Sequence, residues 1–127
     1  MTTPETIYLV DDDASVRRGI SRLLRAAGYN VVTCETPEAF LALTEFSTPA
    51  CLLVDLRMPR ITGIELQRTL DDRGRHPPIV MFSGHADAIT TERAISAGAV
   101  AVLSKPVELD ALLQALERGL AKDRATN

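Results

Sequence analysis

Four short apolar runs each hand over to residues able to hold or move charge. Asp11, Asp12 and Asp13 follow the run 7–10, and Asp55 follows 51–54. Ser83 and Gly84 follow 79–82, while Ser104, Lys105 and Pro106 follow 100–103. Carboxylates crowded together repel, and some stay protonated unless a cation joins them. All-oxygen donors suit Mg²⁺, which takes one or two protein carboxylates and keeps several waters; Mn²⁺ is an acceptable substitute. A carboxylate can also attack phosphorus to give an aspartyl phosphate. A hydroxyl and an amine can then bind the remaining phosphoryl oxygens. The set makes chemical sense as a phosphoryl-transfer site.

Such a site needs elements that bring the four run ends together. A fifth run, 31–34, delivers only Glu35. The runs are short and mostly rich in β-branched residues, as buried parallel strands are. Amphipathic stretches separate them. The first carries Val16, Ile20, Leu23, Leu24 and Ala27 at helical spacing and stops at Gly28. Thr36-Pro37 opens the second with an N-cap and a proline at the first helical position. Thr62 and Glu65 open the third as a capping box. The fourth, about 87–97, has Ile89 and Ile95 as its apolar anchors, with Ala88 and Ala94 beside them, and is expected to be the loosest. The last places Leu109, Leu112, Leu113, Leu116 and Leu120 on one stripe. Strict strand–helix alternation predicts an α/β fold with a parallel sheet covered on both faces. Five strands at this size suggest a doubly wound (βα)5 flavodoxin-like sheet of order 2-1-3-4-5. That order comes from the class, since periodicity does not fix it. Ligands in such sheets bind beyond the carboxyl ends of the strands, where the charged residues lie.

The 127 residues suit one domain, with a core over about 6–120 and a polar tail, 121–127, expected to fray or begin a linker. Net charge is −3, which gives no footprint for nucleic acid, so this chain itself is not expected to bind it. No apolar run nears a membrane span and no signal peptide is evident, so a cytoplasmic setting is expected. Cys34 and Cys51 fit no metal or redox spacing and read as small buried hydrophobes.

Val10-Asp11-Asp12, Val54-Asp55-Leu56-Arg57-Met58-Pro59, Phe82-Ser83-Gly84-His85 and Lys105-Pro106, in this order and at these spacings, resemble the motifs of response-regulator receiver domains. The resemblance spans about 6–120 and is similar to the FixJ-like branch of two-component transcriptional regulators. It implies that Asp55 accepts a phosphoryl group from a sensor histidine kinase. Asp12 would bind Mg²⁺ directly, Asp11 largely through water, with Asp55 and the backbone carbonyl of Arg57 as further ligands. Ser83 and Lys105 would bind phosphoryl oxygens, Gly84 would let its amide come close, and Lys105-Pro106 would be a cis peptide. It also implies a switching surface on the fourth helix and fifth strand, used by a second receiver or by an output domain in cis. Such a domain is a phosphoacceptor module rather than a turnover enzyme.

The pattern breaks at two points. An aromatic is common three residues before the strand-five lysine; here Val102 stands there, and Val107 replaces the usual Phe after Lys-Pro. The relay of the switch through Val102 is thereby in doubt. His85 either shapes access to Asp55 or donates a hydrogen bond. Asp13 reads as an N-cap. Arg17, Arg18, Arg22 and Arg25 read as a solvated face, or as a docking edge for the kinase. Two rival readings remain open: a haloacid-dehalogenase-type phosphatase, with Asp11 as nucleophile and Asp13 as general acid in D-x-D-x-[ST], and a phosphorylation-independent interaction module.

Overall fold

Each apolar run becomes a strand, and all five strands pair in parallel. The computed structural model describes residues 4–43, 45–47, 49–58, 60–84 and 87–125. The strands are β1 (Thr6–Val10), β2 (Asn30–Cys34), β3 (Ala50–Asp55), β4 (Ile79–Ser83) and β5 (Ala101–Ser104). The helices are α1 (Ala14–Ala26), α2 (Pro37–Leu41), α3 (Gly63–Arg73), α4 (Ala88–Ala97) and α5 (Leu109–Ala125). The sheet order is β2-β1-β3-β4-β5, as the class suggested. Among the described residues, no helix is long and apolar enough to cross a membrane.

Strand side chains alternate between two cores. Tyr8, Val10, Leu52, Val54, Ile79 and Met81 face one side, packed with Phe40 of α2, Leu66 and Leu70 of α3 and Ala94 of α4. Ile7, Leu9, Cys51, Leu53, Val80 and Phe82 face the other, packed with Leu24 of α1 and with Leu112, Ala115, Leu116 and Leu120 of α5. The register aligns the carboxyl ends. Val10 lies beside Cys34 and Val54, Asp55 beside Phe82, and Ser83 beside Ser104. The charged residues that follow therefore emerge along one edge.

Several helix signals act as expected. Asp13 caps α1, accepting from the Ser15 and Val16 amides. Thr36 caps α2 with Pro37 inside it, and Thr62 and Glu65 form the capping box of α3. Gly28, at φ 98°, follows the end of α1.

Four expectations need correction. Ile89 and Ile95 do not anchor α4: they are 65 % and 46 % exposed, and fully buried Ala94 holds the helix instead. A methyl lets α4 approach the rest of the fold closely, which an isoleucine there would prevent. On α1, Leu23 faces outward, as does Ala27 at the C-cap, and buried Ser21 shares the inner face with Leu24. On α5, Leu109 is 40 % exposed. The tail does not fray from 121, because α5 continues through Ala125. Asp123 is buried and its Oδ2 accepts from the Ala50 amide at 2.8 Å, which ties the last turns of α5 to the start of β3.

Both cysteines are buried, and burial pushes both thiols up, Cys51 to about 12. The thiolate is the reactive form. Native protein at pH 7.5 is therefore expected to take up almost no iodoacetamide in minutes, against two equivalents in denaturant. Intact mass would read both, and rapid native labelling would contradict the burial.

Candidate functional site

The site is assembled from the residues that leave β1, β3, β4 and β5. Asp11 follows β1 directly and is fully buried. Its amide donates to the Cys34 carbonyl at 3.2 Å, continuing the ladder with β2. Its Oδ1 accepts from the Asp13 amide at 2.8 Å, which folds the turn back toward the sheet. Its Oδ2 is buried and has no hydrogen-bond partner; the Lys105 Nζ lies 3.7 Å away. Asp12, the next residue, is exposed.

Asp55 ends β3 and is 7 % exposed. Its Oδ1 accepts from the Arg57 amide at 2.9 Å, and its Oδ2 accepts from Lys105 Nζ at 3.0 Å. The chain beyond it is held at both sides: the Leu56 amide donates to the Phe82 carbonyl, and the Gly63 amide to the Leu56 carbonyl, each at 2.9 Å. Ser83 ends β4 and is 1 % exposed. The Lys105 amide donates to the Ser83 carbonyl at 2.9 Å, so the lysine leaves β5 beside that serine. Its ammonium stands 4.8 Å from the centre of the Phe82 ring, a cation–π contact at the site floor. The Lys105-Pro106 peptide is cis.

Electrostatics follow from this crowding. Burial pushes the Asp11 carboxyl up, more than the Asp13 amide and the Lys105 charge pull it down, and the neighbouring Asp55 and Asp12 charges add to the rise. Desolvation works against the Lys105 ammonium, but Asp55 and Asp11 outweigh it and hold its pKa above the ordinary lysine value.

Asp11, Asp12 and Asp55 each offer an oxygen, and all three oxygens lie within 4.8 Å of one another. An all-carboxylate donor set with an exposed side and an orphaned buried oxygen fits a hard divalent cation that retains water. The donors present suit Mg²⁺ and lack the nitrogen or sulfur that zinc prefers.

The structure thus brings together Asp11, Asp12, Asp55 and Lys105, with Ser83 at the adjacent strand end. Gly84 is exposed just beyond it. Val102 is half-buried against the core on the α2–α3–α4 side rather than in this cluster. His85 lies outside the described residues, as does Pro59 of the motif. Sequence reasoning missed Arg17. Its side chain is only 15 % exposed, with NH1 donating to the Asp11 carbonyl at 2.7 Å and NH2 3.6 Å from Glu35. The available signal was its place one helical turn after the Asp13 cap, which puts it over the β1–α1 turn.

Paired carboxylates, a hydroxyl and a lysine thus meet at the carboxyl edge of a five-stranded doubly wound α/β sheet. The model of the response regulator receiver domain matches residues 7–117, and the chain belongs to that family. Response regulator protein TodT of Pseudomonas putida is 38 % identical over 114 residues, covering 90 % of this chain and 50 % of that protein. Transcriptional regulatory protein FixJ of Rhizobium meliloti is 36 % identical over 116 residues, covering 91 % of this chain and 57 % of that one. Among solved structures, response regulator StyR matches with TM-score 0.89 and 42 % identity over 98 % of this chain and 63 % of its own. The structure described as FixJ-N matches with TM-score 0.86 and 35 % identity over 95 % of this chain and 96 % of its own. The chain spans about half the length of the curated relatives it matches.

Proposed function

We propose that Asp55 accepts a phosphoryl group from the phosphohistidine of a sensor histidine kinase, or from a small phosphodonor. The observation that carries this reading is the Lys105–Asp55 ion pair at 3.0 Å beside the orphaned Asp11 oxygen. An Asp55 oxygen attacks phosphorus in line and the new O–P bond forms, while the bond to the leaving atom breaks: the imidazole nitrogen of phosphohistidine, or the carboxylate oxygen of a small donor such as acetyl phosphate. Lys105 neutralises charge on the phosphoryl oxygens. The Ser83 hydroxyl donates to a second oxygen, and the Gly84 amide approaches it. Asp11, Asp12, Asp55 and the Arg57 carbonyl would hold Mg²⁺, which supplies positive charge to the developing phosphoryl group when bound.

The added charge then favours one of two conformations of the 84–107 surface, α4 with β5. That surface engages a second receiver or an output domain in cis, through which transcription is controlled. Val102 has no ring to swing, so the loop after Ser83, including His85, carries more of the relay. The chemistry of the domain is then limited to its own phosphorylation and slow hydrolysis of the aspartyl phosphate.

The phosphatase alternative needs Asp13 as a general acid, but Asp13 is committed to capping α1. The test is acetyl phosphate with Mg²⁺, read by intact mass on wild type and Asp55→Ala. One phosphoryl group is expected on wild type, none without Mg²⁺ and none on the variant. An adduct surviving in Asp55→Ala would transfer the role to Asp11. No adduct, and no spectral response to beryllofluoride, would favour the phosphorylation-independent module.

A further inference from the structure

Arg17 belongs to the first turns of an otherwise solvent-facing arginine row, yet it is the one whose guanidinium reaches the acidic cluster. We propose that Arg17 is a positioning residue for the metal-binding turn, an inference that rests on the phosphoacceptor reading above. Three contacts carry it. The Arg17 amide donates to the Asp13 carbonyl at 3.0 Å as the first turn of α1 closes. The NH1 group donates to the Asp11 carbonyl at 2.7 Å, and NH2 faces a Glu35 carboxylate oxygen at 3.6 Å. One residue therefore clips the turn 11–13 through both main chain and side chain. It also ties the carboxyl end of β1 to the end of β2, where Glu35 follows Cys34.

The guanidinium's planar fork explains the residue type. It can donate to a carbonyl on one arm and face a carboxylate on the other, which a lysine's single ammonium on a flexible stem does less well. The Asp11 side chain has one anchoring hydrogen bond, from the Asp13 amide, and its other oxygen has no hydrogen bond and only the Lys105 ammonium at 3.7 Å. Fixing the Asp11 carbonyl fixes the backbone from which that carboxylate projects. Outer partners of this kind commonly change metal affinity by about tenfold or more.

The sign of the effect separates positioning from charge. Arg17 is a cation near a site for a cation. If only its charge mattered, removing it would tighten Mg²⁺ binding. If it positions the turn, removing it weakens binding. The experiment is a Mg²⁺ titration by calorimetry or amide chemical shifts, on wild type, Arg17→Met and Arg17→Lys, with Asp12→Ala as the non-binding control. Arg17→Met is expected to bind Mg²⁺ roughly tenfold more weakly, with Arg17→Lys in between. In metal-free protein, the Asp13 amide of Arg17→Met is expected to exchange faster than in wild type while amides in β3 and β4 keep their protection. Unchanged or tighter Mg²⁺ binding in Arg17→Met overturns the inference, as does loss of protection throughout the sheet. Absence of Mg²⁺ binding in wild type would instead overturn the phosphoacceptor reading beneath it.

Discussion

Gly119→Ala is expected to destabilise the protein by about 2 kcal/mol, a fall in Tm of roughly 8 °C. Gly119 lies in the buried face of α5, where that helix crosses β3. A Cβ built there would stand 2.5 Å from Cys51 Sγ, more than an ångström inside a normal contact. Cys51 has little room to yield, since it is fully buried and its backbone is paired with Ile7 in the sheet. Overpacking of this kind costs about 1–3 kcal/mol, and here the upper end applies. Against it stands helix propensity, which favours alanine over glycine by about 1 kcal/mol. Packing wins.

A second substitution tests the cause. In Cys51→Ala the offending sulfur is gone, and the nearest remaining atom, the residue-51 Cβ, would lie 3.5 Å from the methyl introduced at position 119, an ordinary contact. Cys51→Ala alone leaves a void and should cost about 1–2 kcal/mol. The double variant should be more stable than Gly119→Ala, with a coupling of about 2–3 kcal/mol. Urea melts of the four proteins in EDTA supply the cycle. Additive losses, or a neutral Gly119→Ala, would show that α5 can slide away from β3.

Much of the candidate site was legible because its residues share one property: each sits at the end of an apolar run. Asp11, Asp55, Ser83 and Lys105 needed no tertiary knowledge beyond the rule that parallel strands gather their carboxyl ends. Strand order is different. Periodicity describes one strand at a time, so the neighbours of β1 emerge only from pairing such as Thr6 with Asn30 and Ala50.

Failures cluster where a residue's type disguises its surroundings. Ala94 anchors α4, but alanine carries almost no hydrophobic signal, and the louder isoleucines point outward. Asp123 looks like tail, yet it is buried because the Ala50 amide, 73 residues away in sequence, needs an acceptor. Arg17 looks like surface, yet it closes on a main-chain carbonyl. In each case the deciding partner is distant or is backbone, and side-chain patterning reports neither.

The orphaned Asp11 oxygen implies a trade between stability and function. At pH 7 in EDTA, Asp11→Asn is expected to be more stable than wild type by about 1–2 kcal/mol. The variant can keep the acceptor for the Asp13 amide, and its NH₂ can donate to the carboxylates that the Asp11 oxygen now repels. Lys105 loses a partner at 3.7 Å but keeps Asp55 at 3.0 Å. The pH dependence carries the same signature. Burial raises the Asp11 pKa in the folded protein above the ordinary 3.8. Between 3.8 and the folded value, the native state binds more protons than the unfolded chain, so the wild-type penalty grows as pH rises through that window. It is absent below the unfolded pKa and complete above the folded one. Asparagine does not titrate, so the gap between the two proteins should close as pH falls toward 4. Mg²⁺ should reverse the order at neutral pH. Wild type gains about 1.4 kcal/mol when free Mg²⁺ is about ten times its Kd and more at higher excess, whereas Asp11→Asn gains far less. Thermal melts at pH 4.5 and 7, with EDTA or Mg²⁺, give all four corners. If wild type is the more stable protein in EDTA at pH 7, the buried carboxylate is satisfied without a metal, and its place in the cation site loses its physical ground.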